Sequence, residues 1–93
     1  MPVTITKWDA AEYLDSDEAI AGFLDEIMET GDQKLIVEGL NTVARARGMT
    51  QIAKDAGIAR QALYKSLGEG GNPTLSTLIG VLKSLGLTLA VKA

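Results

Sequence analysis

The segment MTQIAKDAGIARQALYKSL, residues 49–67, constrains the fold of this chain more than any other stretch. Its small residue Ala53 stands four positions before Gly57, and Leu63 follows six positions after that glycine. Glycine adopts the left-handed backbone conformation without steric cost, so Gly57 predicts a tight turn with positive φ. A small residue at position 53 lets a second helix cross the first. The segment therefore predicts two short helices joined by a turn, at residues 51–56 and 60–67.

The outer face of the second helix is polar and basic, with Arg60, Gln61, Tyr64 and Lys65. Guanidinium and amide groups hydrogen-bond base edges, whereas ammonium and hydroxyl groups contact phosphates. A helix-turn-helix unit that lies in a DNA groove carries such a face. The alternative is an ordinary antiparallel pair of core helices, in which Gly57 is only a helix C-cap. The segment alone leaves both interpretations open.

The net charge of −3 conceals a strong asymmetry along the chain. Residues 1–40 contain ten acidic and two basic residues, a net charge of −8. Residues 41–93 contain seven basic and two acidic residues, a net charge of +5. Such an asymmetry indicates two different partners. We expect residues 1–40 to form an acidic helical segment that packs on the core and faces a basic partner. We expect residues 41–93 to form a DNA-binding domain. Three further cations of that domain would support the DNA interface: Arg45, Arg47 and Lys54.

Several functional classes are disfavoured by the composition. The chain contains neither cysteine nor histidine, so it lacks disulfides, thiolate metal ligands and the commonest general base. We therefore expect no metal, no other cofactor and no enzymatic activity. The N-terminal sequence has no signal-peptide pattern, and no apolar stretch approaches the length that spans a membrane. The sequence thus predicts a cytoplasmic protein without a membrane partner.

Capping residues and apolar periodicity predict the remaining elements. Ser16, Asp32 and Thr74 each precede an apolar stripe of helical period, and Thr50 is expected to cap the helix at 51–56. The capping-box spacing of Thr6 and Asp9 predicts a further helix at about 7–14. The other caps predict helices from Ser16 to Gly31, at about 33–47, and from Thr74 to Gly86. The stripe of the last helix consists of Leu75, Leu78, Ile79 and Leu82.

The C-terminal sequence LTLAV, residues 87–91, is rich in β-formers and too short for a helix. It predicts a short strand. A single strand needs a partner, and the same strand of a second subunit would provide one. We therefore expect a homodimer in which three apolar side chains contribute to the contact: Leu87, Leu89 and Val91.

Residues 48–89, GMTQIAKDAGIARQALYKSLGEGGNPTLSTLIGVLKSLGLTL, resemble the lambda-repressor/Cro-like (Xre-type) helix-turn-helix domains. The whole chain is similar to the probable addiction module antidote proteins. WDAAEYLDSDEAIAGFLDEIMETGD is like the acidic N-terminal segment of that family, and ARARGMTQIA, RQALYKSL and GNPTLSTLIGVLKSLG are like its core. The resemblance implies an all-α fold of five to six short helices, which the predicted C-terminal strand completes. The chain departs from many such repressors at Ala59, where they cap the recognition helix with serine or threonine.

The resemblance also implies a function. Members are antitoxins that neutralise a small basic RelE/ParE-type toxin from the adjacent gene and repress their own operon. A homodimer would bind a palindromic operator. We expect three apolar residues to anchor the toxin: Trp8, Tyr13 and Leu14. We expect three acidic residues to attract the basic toxin: Asp15, Asp17 and Glu18. The two aromatic residues have an alternative role, which is to cover the core of the domain itself. The alternative function is a stand-alone phage-type repressor without a toxin partner.

Overall fold

The computed structural model describes residues 14–93, and every regular element in that range is a helix. In chain order the helices are α1 (Asp17–Glu29), α2 (Gln33–Arg47), α3 (Met49–Ala56), α4 (Arg60–Leu67) and α5 (Leu75–Ser84). The prediction of a helical fold is confirmed for this part of the chain. The helix expected at 7–14 lies outside the described residues except for its last position, which is not helical.

Three helices begin at the side-chain caps that the sequence predicts. The Ser16 hydroxyl accepts a hydrogen bond from the Ala19 N–H group at 3.1 Å. The Asp32 carboxylate accepts two from the first turn of α2, at 3.0 and 3.2 Å, and the Thr74 hydroxyl accepts one from the Thr77 N–H group at 3.1 Å. The expectation for Thr50 is wrong. Helix α3 begins one residue earlier, after Gly48, and has no side-chain cap.

The turn between α3 and α4 has the predicted left-handed glycine. Gly57 has φ 72° and ψ 30°, and its N–H group donates to the Lys54 carbonyl at 3.2 Å. The N–H group of the next residue donates to the Ala53 carbonyl at 3.0 Å. Ala53 and Leu63 are 3% and 0% exposed and belong to one core cluster. The two helices therefore pack on each other around these residues.

One apolar core joins the five helices of the described part of the chain. Helix α1 packs on α2, and α3 packs on both α4 and α5. Helix α2 continues without interruption across positions 40 and 41, where the charge of the sequence changes sign. The largest fully buried side chains come from every helix: Ile20, Leu40, Val43, Ile52, Leu63, Leu67 and Val81.

The apolar stripe of α5 differs from the prediction. Val81 is fully buried and Leu82 is nearly so, whereas Leu75 and Ile79 are 64% and 38% exposed. Helix α5 carries apolar residues on more than one side, so the spacing alone does not define its buried face. Its packing against α3 selects the side that contains Val81.

The predicted strand at 87–91 is wrong, because residues 87–93 have no regular secondary structure. Gly86 takes φ 76°, and the Leu87 N–H group donates to the Leu82 carbonyl at 2.8 Å, which closes the end of α5. A strand requires hydrogen bonds from a neighbouring strand, and residues 14–93 contain none. The tail instead approaches α1, where Lys92 forms ion pairs with Asp25, at 3.8 Å, and with Glu29.

Candidate nucleic-acid interface

Helix α4 separates its buried and exposed residues as a surface helix does. Leu63 and Leu67 are buried, one turn apart, and fix the helix on the core. Side chains at positions i, i+1, i+4 and i+5 share one face of a helix. The four predicted DNA contacts occupy such positions, and all four are exposed: Arg60, Gln61, Tyr64 and Lys65. The structure therefore brings them together on one outward face.

Within this face, Arg60 and Tyr64 contact each other. The Arg60 Nη2 atom donates to the Tyr64 hydroxyl at 3.1 Å, and the guanidinium carbon lies 5.3 Å from the ring centroid. A cation–π contact at an exposed site contributes about 0.5–1 kcal/mol. The Tyr64 hydroxyl is thus a partner of Arg60 in this structure, a contact that the sequence analysis missed. The i, i+4 spacing of Arg60 and Tyr64 in the sequence would have predicted this contact.

The N-terminus of α4 has no side-chain cap. Ala59 occupies the N-cap position in an extended conformation and makes no side-chain hydrogen bond. Uncapped N–H groups and the helix dipole together attract anions such as a phosphate. The absence of a serine or threonine cap therefore leaves these donors available to a ligand.

The three supporting cations lie on α2 and α3. Arg45 and Lys54 are exposed, and the Arg45 Nε atom donates to the Asn41 side chain at 3.0 Å. Arg47 is the last residue of α2, and its Nη2 atom lies 2.5 Å from a carboxylate oxygen of Asp17. Cations at this end of a helix are stabilised by the helix dipole.

A carboxylate that the sequence analysis missed connects α3 to α5. One oxygen of Asp55 accepts a hydrogen bond from Gln51 at 2.8 Å, and the other accepts one from Ser84 at 2.8 Å. Gln51 and Asp55 are four residues apart on α3, whereas Ser84 ends α5. These bonds orient α3 relative to α5 and, through the turn at Gly57, help to orient α4.

Of the described residues predicted to bind the toxin, three are exposed and one is buried. Asp15, Asp17 and Glu18 are exposed at the start of α1. Leu14 is 8% exposed and belongs to the core cluster, so its side chain is packed inside the domain. Trp8 and Tyr13 lie outside the described residues.

The C-terminal tail exposes apolar side chains while one cation ties it to α1. Leu87 is half-buried, but Leu89 and Val91 are 47% and 98% exposed. A hydrogen bond to Glu29 and, after it, the charge of Asp25 raise the pKa of Lys92 above its ordinary value. Two of the three residues predicted to form a dimer contact are therefore accessible.

Other kinds of site find little support in the described range. Between residues 14 and 93 no group of three or more acidic, histidine or cysteine side chains is arranged to hold a metal ion. The helices in this range are also too short or too polar to cross a membrane. The exposed basic face of α4 remains the clearest candidate site.

Comparison with known proteins supports one family. Residues 4–93 match the family model described as "Probable addiction module antidote protein". A protein of Haemophilus influenzae, named only as an uncharacterized protein, is 45% identical over 92 residues, which covers 99% of this chain and 95% of that protein. No solved structure matches the chain.

Proposed function

Because the chain belongs to the family of probable addiction module antidote proteins, we propose that it is the antitoxin of a type II toxin–antitoxin module. In this proposal it neutralises a RelE/ParE-like toxin and represses its own operon by sequence-specific DNA binding. It acts in the cytoplasm as a binding protein, without catalysis or a cofactor. The observation that carries the DNA-binding part is the exposed basic face of α4, which follows the left-handed turn at Gly57.

The dimensions of α4 suit a recognition helix of the lambda-repressor-like helix-turn-helix type. Its eight residues extend about 12 Å, which is comparable to the width of the DNA major groove. Arg60 and Gln61 begin the helix, where recognition helices contact base edges. Lys65 follows one turn later and is assigned to a phosphate.

A homodimer would give this short helix sufficient reach. One helix reads few base pairs, whereas two helices related by a two-fold axis read a palindrome with half-sites about one DNA turn apart. The dimer contact that we propose includes the half-buried Leu87 and the exposed Leu89 and Val91. The contact needs no strand pairing, because burial of these apolar side chains would itself favour association.

The acidic start of α1 supports the toxin-binding part of the proposal. Asp15, Asp17 and Glu18 would attract a small basic toxin from the adjacent gene and raise its association rate. Trp8 and Tyr13 would supply the apolar contacts that lengthen the residence time. Leu14 would support that surface from the core, where its side chain is packed.

The DNA-binding part is tested with duplexes from the region upstream of the chain's own gene. Arg60→Ala should lose about 1–3 kcal/mol of discrimination at one base pair, because a base contact is removed. Lys65→Ala should weaken binding to all sequences alike and reduce the salt slope by about one unit. Lys83→Ala, which removes an exposed lysine on α5 outside the α3–α4 pair, is the matched control. Gln61→Ala tests the second predicted base contact in the same way, and unchanged sequence preference in both Arg60→Ala and Gln61→Ala would contradict the assignment.

The second candidate is a stand-alone phage-type repressor, which the same α4 face also supports. It differs from the first in having no protein client. Co-expression with the adjacent gene, followed by affinity purification, separates the two. A stable complex that is weakened by the double substitution Asp15→Asn and Glu18→Gln supports the antitoxin. Absence of any complex supports the stand-alone repressor.

A further inference from the structure

One ion pair joins the two surfaces to which the proposed function assigns different partners. Asp17 is the first residue of α1 and, with Asp15 and Glu18, makes up the acidic surface proposed to bind the toxin. Arg47 is the last residue of α2 and, with Arg45 and Lys54, makes up the basic surface predicted to support DNA binding. The Arg47 Nη2 atom lies 2.5 Å from the Asp17 carboxylate. A single guanidinium therefore already has an anionic partner within the protein.

We propose that Asp17 governs DNA binding through Arg47, because its carboxylate and a DNA phosphate compete for the same guanidinium. The inference rests on the proposed DNA-binding function. In the free protein Asp17 neutralises Arg47. When DNA binds, a phosphate replaces the carboxylate and Asp17 is left without its partner. Asp17 is thus a positioning residue for the basic surface as well as part of the acidic one.

The exposure of the pair makes this exchange feasible. The Asp17 side chain is 80% exposed and that of Arg47 is 34% exposed, so water reaches both groups. Exposed ion pairs of this kind contribute a factor of about 1.4 to 5 to an equilibrium constant. The C-terminal dipole of α2 keeps a cation at position 47 favourable even when the carboxylate is released. Arg47 therefore has two alternative partners of similar chemistry.

The competition links the two surfaces thermodynamically. A cationic protein that binds Asp17 removes the internal competitor and leaves Arg47 available to a phosphate. The DNA affinity then rises, and by reciprocity DNA raises the affinity for the cationic protein by the same factor. The predicted coupling is about 1.4- to fivefold, because it cannot exceed the contribution of the ion pair itself.

The Asp17→Asn substitution tests the proposal, since it imitates neutralisation of the carboxylate. Fluorescence anisotropy would follow binding of the full chain to a labelled mixed-sequence duplex of about 24 base pairs, at salt concentrations from about 50 to 200 mM. We expect Asp17→Asn to raise affinity about 1.4- to fivefold at the lowest salt concentration. The slope of log K against log salt should steepen by up to about 0.9, because the counterion that Arg47 displaces from DNA is no longer offset by the cation that a freed Asp17 carboxylate takes up.

Glu18→Gln is the matched control. It removes the same charge at the next position of α1, and Glu18 forms no ion pair with any residue in the range 14–93. Its effect on affinity should be clearly smaller than that of Asp17→Asn. Equal increases in the two variants would show a general charge effect and overturn the proposal, as would an unchanged affinity and slope in Asp17→Asn.

Arg47→Gln provides a second test of the competition, because it removes the guanidinium for which the two anions compete. This variant should bind DNA more weakly, and adding Asp17→Asn to it should then change affinity no more than Glu18→Gln does. Additive effects in the double variant would overturn the competition. If the wild-type chain binds no duplex at the lowest salt concentration, the proposed DNA-binding function itself fails, and this inference fails with it.

Discussion

Replacing Gly80 by alanine tests the contact that positions α3, the first helix of the candidate DNA-binding pair. A Cβ atom at Gly80, in α5, would lie 3.0 Å from the Cβ atom of Ala56 and 3.3 Å from its Cα atom. At Gly22, in α1, an added Cβ atom would meet no atom within 4 Å. The two glycines are both inside helices, so the same substitution can be compared at a crowded and at an open site.

The expected magnitudes follow from two opposing effects. Alanine stabilises a helix interior by about 1 kcal/mol relative to glycine, at either position. Overpacking costs about 1–3 kcal/mol. The Ala56 methyl group has no rotamer by which to move away, so α3 itself would have to shift. Gly22→Ala should therefore be about 1 kcal/mol more stable than wild type, and Gly80→Ala should be about 1–3 kcal/mol less stable than Gly22→Ala.

Thermal and urea unfolding followed by far-ultraviolet circular dichroism would measure this difference. In a domain of this size, 1 kcal/mol shifts Tm by about 4–8 °C, so the melting temperatures of the two variants should differ by at least about 4 °C. A double-mutant cycle with Ala56→Gly isolates the contact, because deleting that methyl group should relieve part of the cost of Gly80→Ala. Equal stabilisation by both alanines, or zero coupling in the cycle, would refute the packing of α5 on α3 at this point.

Three further predictions concern the turn, the tail and the oligomeric state. Gly57→Val should lower the free energy of unfolding by about 1–3 kcal/mol, because valine is strained at positive φ. A variant that melts at the same temperature as the wild type would show that the turn is elsewhere. Glu29→Gln should lower the pKa of Lys92 towards its ordinary value, as measured by NMR titration. Because that pKa is raised in the folded chain, the tail contact contributes to stability below the pKa of Lys92 in the unfolded chain. This contribution is lost as pH rises through the pKa of Lys92 in the folded chain. Deleting residues 88–93 should convert the proposed dimer to monomer in sedimentation experiments, and a persistent dimer would place the contact elsewhere, with the exposed apolar face of α5 as the next candidate.

The sequence by itself determined the local features of this protein. The caps at Ser16, Asp32 and Thr74 were predictable because each hydrogen bond reaches only two or three residues along the chain. The left-handed turn at Gly57 was predictable for the same reason, since steric exclusion of a Cβ atom is a property of one residue. The side-by-side placement of Arg60 and Tyr64 follows from helical periodicity alone.

Only the tertiary structure decided the features that depend on residues distant in sequence. The segment at 87–91 has the composition of a strand but no neighbouring strand to bond within residues 14–93, so its local preference is not realised. The buried side of α5 depends on contact with α3, which spacing cannot reveal for a helix that is apolar on several sides. The ion pair of Arg47 with Asp17 spans 30 positions. Local sequence determines which groups a helix presents, but which group lies opposite is determined by how the helices pack.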